Sequence, residues 1–320
     1  MIKFGTIGTS MISEEFISVA KQNQNVKVVS CYSRSKEKAK EFIKANELKA
    51  RAFDNFQEMA NEIDAVYIAS PNGLHFEQAM YFLQQQKHVF LEKPLTLDVK
   101  QAQQLYEVAM KNKVILMEAF KLIHAPQYNF LDDFVKKYSP FAATFSTNKY
   151  SSRMPDVKKG IFNSVFDEKL GKGSTYDMLV YPVELAISLF GPVKEVKSMS
   201  SQLSNGVNFV DAVLMKHESN VITNIMCSKS SNGLVGSEIL SDEGTISFQE
   251  VLRLNKINLY DIEEKKNYNL FDDDKEDMMK YELDVFAKMV LEDDLQLSDY
   301  LLKISCETVR VLNIVEQNSL

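Results

Sequence analysis

Ala69-Ser70-Pro71-Asn72-Gly73-Leu74-His75 closes one apolar run, and Leu91-Glu92-Lys93-Pro94-Leu95 closes the next. These two junctions decide the fold. The runs that lead into them, Asp64 to Ser70 and His88 to Glu92, are short and almost wholly apolar, and each is followed by a segment of helical period. Phe76, Ala79, Met80 and Leu83 recur at steps of three and four, as do Ala102, Leu105 and Ala109, so each segment carries one apolar face. Strand and helix alternating in this way predict a parallel sheet, and near-continuous apolar strands predict one covered on both faces. Ile2 to Gly8, Val26 to Tyr32 and Val114 to Glu118 extend the same alternation on either side. Both junctions then fall at carboxyl ends of parallel strands, the edge at which open α/β sheets bind ligands.

Beyond about Tyr138 the pattern changes. Ala142 to Tyr150, Val193 to Gln202, Val207 to His217, Asn220 to Ser230, Leu234 to Leu240 and Arg253 to Ile262 read as strands. Turn signals such as Ser204-Asn205-Gly206 and Asp242-Glu243-Gly244 separate them, which predicts antiparallel pairing. The chain closes on helices. Met279, Leu283, Phe286 and Val290 form one apolar stripe, and Leu301, Ile304, Thr308, Val311 and Val315 form another behind a Ser298 cap. The acidic run Asp272 to Asp274 reads as a solvated loop.

Composition narrows the function classes. The chain has 320 residues, enough for about two domains, with 45% hydrophobic and 25% charged side chains. Its net charge of -7 supplies no cationic footprint for nucleic acid or an anionic membrane. No apolar run reaches the ~20 residues of a membrane span, and the start MIKFGTIG lacks the succession of a signal peptide. Cys31, Cys227 and Cys306 are odd in number and set in apolar stretches, as buried thiols of a reducing, cytoplasmic compartment would be. The four histidines stand apart from one another and from cysteine or carboxylate at ligand spacing, so no metal is expected.

The first strand runs through Gly8-Thr9-Ser10-Met11-Ile12-Ser13 into a helix, the place where a dinucleotide pyrophosphate would meet a helix N-terminus. Gly8 fits the first position of the glycine fingerprint, while Ser10 and Ser13 replace the second and third, Ser13 as a candidate cap. After the second strand, Ser33-Arg34-Ser35-Lys36 stands where a carboxylate would grip the ribose hydroxyls of NAD. Serine and cations there favour the 2′-phosphate of NADP, with NAD the alternative. Lys93, directly before a proline, is barred from helical geometry and held extended at the sheet edge.

The succession of that glycine turn, SPNGLH at 70–75, LEKPL at 91–95 and GKGSTYDMLVYP at 171–182 resembles the Gfo/Idh/MocA family of NAD(P)-dependent oxidoreductases over nearly the whole chain. It is most similar to the branch of dimeric dihydrodiol dehydrogenases and sugar dehydrogenases. The resemblance implies an α/β protein: an N-terminal Rossmann domain over 1–121, then a substrate-binding and oligomerisation domain over 122–320 built on an open, mainly antiparallel sheet. It implies that Lys93 contacts the reacting oxygen, that Lys93-Pro94 is a cis peptide, and that Asp177 and Tyr181 occupy the second domain's catalytic positions. Gly8, Thr9, Ser10, Met11, Ile12, Ser33, Arg34, Ser70, Pro71, Asn72, His75, Glu92 and Lys93 form the expected cofactor set.

In a helix Asp177, Tyr181 and Glu184 would share one face, as residues lining a cleft would, with Leu179, Val183, Ala186 and Phe190 opposite. Pro182 confines the first two to the opening turns or to a kink. Lys149, Arg153 and Asn163 are candidates to reach polar groups of a small-molecule substrate. Oxidising a secondary alcohol needs a group that takes the hydroxyl proton and a donor or cation for the developing alkoxide; Tyr181 and Lys93 suit those tasks, with Asp177 orienting one of them. The expectation is hydride transfer between NADP(H), or NAD(H), and a sugar, polyol or related carbonyl. Two other readings stay open: a redox-neutral, NAD-dependent glycoside hydrolase and a catalytically idle nucleotide-binding sensor. A homodimer or higher homo-oligomer through the second domain's sheet is expected.

Overall fold

The computed structural model describes residues 1–273 and 278–319. Contacts divide the chain into two compact units, one of Met1–Lys121 with Met279–Cys306 and one of Leu122–Met278 with Glu307–Leu320.

The first unit holds six strands: β1 (Ile2–Ile7), β2 (Val26–Tyr32), β3 (Arg51–Phe53), β4 (Ala65–Ile68), β5 (His88–Glu92) and β6 (Leu116–Ala119). They pair in the order β3-β2-β1-β4-β5-β6, every ladder parallel. This is the doubly wound order, with the reversal between β1 and β4. All four residues of β4 and of β6 are buried, which is why these strands read as apolar runs, interrupted in β6 by Glu118. β3 is absent from the expected strands because it is three residues long and buries only Phe53.

The core gathers on aromatic rings. Phe16, from helix Met11–Gln22, stacks on Tyr67 of β4 at 3.9 Å between centroids, and Phe4 of β1 lies 5.5 Å from Phe16. Phe286, from helix Met279–Glu292, lies 5.5 Å from Phe4 and 5.0 Å from Phe90. The structure thus differs from an unbroken second domain over 122–320: the Met279 stripe completes the first unit, because its aromatic face is complementary to the face of β1 and β5.

The second unit carries β7 (Ala142–Asn148), β8 (Val193–Gln202), β9 (Asn208–His217), β10 (Ile222–Ser228), β11 (Ser237–Leu240), β12 (Gly244–Phe248), β13 (Ile257–Asp261) and β14 (Lys266–Phe271). Their order is β14-β13-β12-β11-β7-β10-β9-β8. Pairing is antiparallel except between β7 and β10, whose long connection lets them run parallel. Helices Tyr128–Tyr138 and Val180–Phe190 cover one face. The other face is exposed and bears Met199, Ala212, Leu214, Ile222 and Met226.

Ser298 does not cap the last helix, Leu295–Gln317. It lies inside the helix, where its hydroxyl donates to the Leu116 carbonyl at 3.0 Å, and Asp294 Oδ1 caps instead by accepting the Leu297 N–H at 2.9 Å. Asp272 and Asp273 are exposed, whereas Asp274, the end of the run read as a solvated loop, lies outside the described residues. Among the described residues no helix is long and apolar enough to cross a membrane, and no group of three or more His, Cys, Asp or Glu could hold a metal ion. Cys31, Cys227 and Cys306 are free thiols.

Candidate active site

The loops after β1 and β4 meet at the reversal of strand order. Gly8 has φ +110°, and a Cβ there would lie 2.6 Å from the Ala69 carbonyl oxygen, so only glycine suits the turn. Ala69 in turn donates its N–H to the Ile7 carbonyl at 2.9 Å. Ser10 is the N-cap of helix Met11–Gln22, extended at φ -94°, and its side chain makes no capping bond. Ser13, read as a candidate cap, is instead buried in the first turn. Thr9, Ser10 and Met11 are exposed around this helix start and Ile12 is half-buried.

Beyond β2 the backbone N–H of Ser33 donates to the Phe53 carbonyl at 3.1 Å, Ser35 caps helix Lys36–Ala45, and Arg34 is exposed. The segment 33–36 contains no carboxylate.

These features suit a dinucleotide carrying a 2′-phosphate. The glycine turn brings backbone next to a twelve-residue helix's N-terminus, where exposed N–H groups attract pyrophosphate, and Arg34 offers a planar cation for the extra phosphate.

The loop after β4 is a short turn in which Leu74 N–H donates to the Pro71 carbonyl at 2.8 Å, with Asn72 half-buried. His75 is fully buried. Its Nε2 lies 2.9 Å from the Ser70 carbonyl oxygen and its Nδ1 lies 2.9 Å from that of Pro94. The ring therefore joins the loop after β4 to the loop after β5. Burial holds the imidazole below its ordinary pKa, and the neutral ring has one N–H for the two carbonyls. Ser70 also donates its hydroxyl to Gln78 Oε1 at 2.8 Å.

Glu92 and Lys93 end β5, and the Lys93-Pro94 peptide is cis. Glu92 Oε1 accepts the Tyr67 hydroxyl at 2.5 Å. Burial raises the Glu92 carboxyl against the Tyr67 bond and the Lys93 charge, and burial with the Glu92 charge pushes the Tyr67 phenol far up. Past the proline, the Leu95 N–H donates at 2.7 Å to Glu118 Oε1 of β6. Glu118 is buried and its carboxyl is pushed up to about 7 by burial, with Ser305, the Leu95 N–H and Lys93 opposing. The backbone just past Lys93 is thus held by His75 and Glu118, and the Glu92 side chain before it by Tyr67. Sequence reasoning missed Glu118; a lone charge in the apolar run of β6 was the available signal.

In the second unit Asp177 ends the short helix Ser174–Asp177, and Tyr181 is the second residue of helix Val180–Phe190. Both are half-buried, and the break between the helices agrees with the constraint set by Pro182. Glu184, expected on the same face as lining for a cleft, is 1% exposed and therefore buried.

Ser174 and Thr175 donate to buried Asp211 of β9 at 2.5 and 3.0 Å, and Ser200 and Asn208 donate to it at 2.8 and 3.1 Å. Burial raises the Asp211 carboxyl against these four bonds. Lys229 pairs with Asp177 Oδ2. Neither Asp211 nor Lys229 has a motif that would have found it. Asn163 caps a short turn by accepting the Val165 N–H at 3.1 Å, and Lys149 and Arg153 are exposed.

A family model described as an oxidoreductase family with an NAD-binding Rossmann fold matches residues 2–120, and the GFO/IDH/MocA C-terminal domain matches 145–247. The chain is 33% identical over 315 residues to scyllo-inositol 2-dehydrogenase (NADP(+)) IolU of Bacillus subtilis, covering 98% of this chain and 95% of that protein. It is 23% identical over 254 residues to trans-1,2-dihydrobenzene-1,2-diol dehydrogenase of Danio rerio, covering 77% and 73%. Its fold is similar to that of KijD10, a 3-ketoreductase from Actinomadura kijaniata solved in complex with NADP and TDP-benzene. The TM-score is 0.83 at 20% identity, covering 99% of this chain and 97% of that one.

Proposed function

The chain belongs to the Gfo/Idh/MocA oxidoreductase family, and from that premise we propose that it moves hydride between NADP(H) and a secondary alcohol or carbonyl of a cyclic polyol or sugar. The observation that carries this reading is the fixation of the segment around Lys93: at a ligand-binding sheet edge His75 and Glu118 hold the backbone just past this lysine, and Tyr67 holds the Glu92 side chain before it. Such preorganisation suits a charge aimed at a reacting oxygen.

Gly8, Thr9, Ser10, Met11 and Ile12 receive the pyrophosphate, and Ser33 and Arg34 the 2′-phosphate, with NAD as the second cofactor. Ser70, Pro71, Asn72 and Glu92 line the cofactor loops, and His75 positions them from beneath. The bound nicotinamide supplies hydride acceptance and return. Lys93 holds its ammonium toward the substrate oxygen, stabilising alkoxide on oxidation or polarising the carbonyl on reduction. Tyr181 takes or gives the hydroxyl proton, and Asp177 orients one of these two groups.

Exposed Met199, Leu214, Ile222 and Met226 on one face of the eight-stranded sheet support a homodimer or higher homo-oligomer through that face. Free Cys31, Cys227 and Cys306 support a cytoplasmic setting.

The test is a panel of scyllo-inositol, myo-inositol, glucose and galactose with NADP or NAD, followed at 340 nm. Reduction of NADP by at least one member is expected, together with loss of roughly a hundredfold or more in Lys93→Met, the scale of removing one oxyanion partner. Sugar release from a glycoside without net absorbance change would replace this reading with a redox-neutral hydrolase. Tight NADPH binding with no turnover would replace it with a sensor.

A further inference from the structure

Lys229 follows β10 in a serine-rich stretch, yet its side chain is only 7% exposed. Its backbone is held from two directions: its N–H donates to the Phe209 carbonyl at 3.0 Å, and its carbonyl accepts the Ser151 N–H at 2.8 Å. The ammonium lies 5.9 Å from the Phe166 ring centroid and pairs with Asp177 Oδ2. A lysine this deeply buried is costly unless its charge is met, and Asp177 meets it. The pair is asymmetric, since the Asp177 side chain is 29% exposed. The cation is hidden while the anion keeps an accessible edge.

The segment that presents Asp177 is also fixed at its start, where Asp211 receives the hydroxyls of Ser174 and Thr175. Two buried side chains therefore hold the ends of a four-residue helix, Asp211 the beginning and Lys229 the end. Asp211 bonds residues two and three positions before Asp177, whereas Lys229 touches the carboxylate itself.

We propose that Lys229 is a positioning residue for the reaction: it keeps Asp177 ionised and fixes the direction of its carboxylate, acting through Asp177 and never on substrate. The proposal rests on the functional reading above, in which Asp177 orients one of the reacting groups. Cys227, on β10 two residues before Lys229, and Asp211 on β9 are titratable groups coupled to this neighbourhood. Burial pushes the Cys227 thiol far up, with Asp211 and Asp177 adding to the rise and Lys229 opposing it, so the thiol stays neutral beside the ion pair. Removing a cation from contact with a carboxylate raises that carboxyl's pKa by about one to three pH units.

The experiment uses the full chain as Lys229→Gln, Lys229→Arg, Asp177→Asn and the double variant Lys229→Gln/Asp177→Asn. In the cofactor-free protein, 13C-carboxyl NMR of labelled aspartates, with Asp177→Asn assigning the resonance, is expected to show the Asp177 midpoint rising by at least about one pH unit in Lys229→Gln. With the panel substrate that the wild type turns over, Lys229→Gln is expected to lower kcat about tenfold or more with NADP affinity unchanged, and Lys229→Arg to restore most of it. The double variant is expected to match Asp177→Asn, because nothing is left for Lys229 to act on. If Lys229→Gln alone fails to fold, the double variant, which replaces the ion pair by two amides, keeps the comparison with Asp177→Asn.

An unmoved midpoint, a kcat near wild type in Lys229→Gln, or additive losses in the double variant would overturn the proposal while leaving the functional reading intact. Full turnover in Asp177→Asn, or no turnover of any panel member by the wild type, would instead overturn that reading and this proposal with it.

Discussion

Glu118 accepts the backbone N–H of Leu95 at 2.7 Å, two residues past Lys93, so a buried acid on β6 anchors the loop that carries the candidate catalytic cation. The anchor has a pH signature. Burial moves the folded-state pKa of Glu118 from 4.5 to about 7, so the protonated form is favoured in the folded chain. Its contribution to stability is fully present below about 4.5 and lost as the pH rises through about 7. Glu118→Gln is uncharged and lacks this slope. In urea titrations the variant should gain on the wild type between those limits by roughly 3 kcal/mol, since each pH unit separating the folded and unfolded midpoints is worth about 1.36 kcal/mol. Parallel stability curves over that range would refute it.

Gly8→Ala tests the turn at the strand reversal. The positive φ and the 2.6 Å approach to the Ala69 carbonyl leave a methyl no room without displacing backbone. A loss of about 1–3 kcal/mol in stability is expected from strain of this kind, with weaker NADPH binding in a fluorescence titration. An unchanged melting temperature together with unchanged NADPH affinity would show the turn to be dispensable.

Residues whose signals are local were legible in the sequence. β1, β2, β4, β5 and β6 stood out because buried parallel strands are apolar on both faces, and Lys93 stood out because a following proline fixes its backbone. β12 and β14 were not anticipated. β12 buries only alternate residues and β14, at the sheet edge, is largely polar, so neither has a continuous apolar run. Long-range pairings left no trace at all. Lys229 meets Asp177 across 52 positions, and Ser174 meets Asp211 across 37, and nothing in either neighbourhood announces the partner.

Cofactor choice should respond to Arg34. With no carboxylate in 33–36, an exposed guanidinium is the group best placed to favour a 2′-phosphate. Arg34→Asp should shift the ratio of kcat/KM for NADP over NAD by roughly tenfold or more towards NAD, since one charge-assisted contact is worth about 1.5–3 kcal/mol. A ratio that does not move would assign the preference to other groups.

The exposed sheet face offers the last test. Leu214, 46% exposed, lies in the middle of β9 between Lys197 of β8 and Asn224 of β10, with Met199 and Met226 on neighbouring rows. If a second copy covers this face, a glutamate at 214 buries an unpaired charge in the interface, and symmetry places two such charges there. Leu214→Glu should therefore shift the light-scattering mass towards that of one 36.5 kDa chain. Its thermal unfolding at low protein concentration should stay close to wild type, because the substituted side chain points away from the unit's own core. A wild type that is already monomeric at micromolar concentration, or a variant that assembles as the wild type does, would exclude this face as the contact.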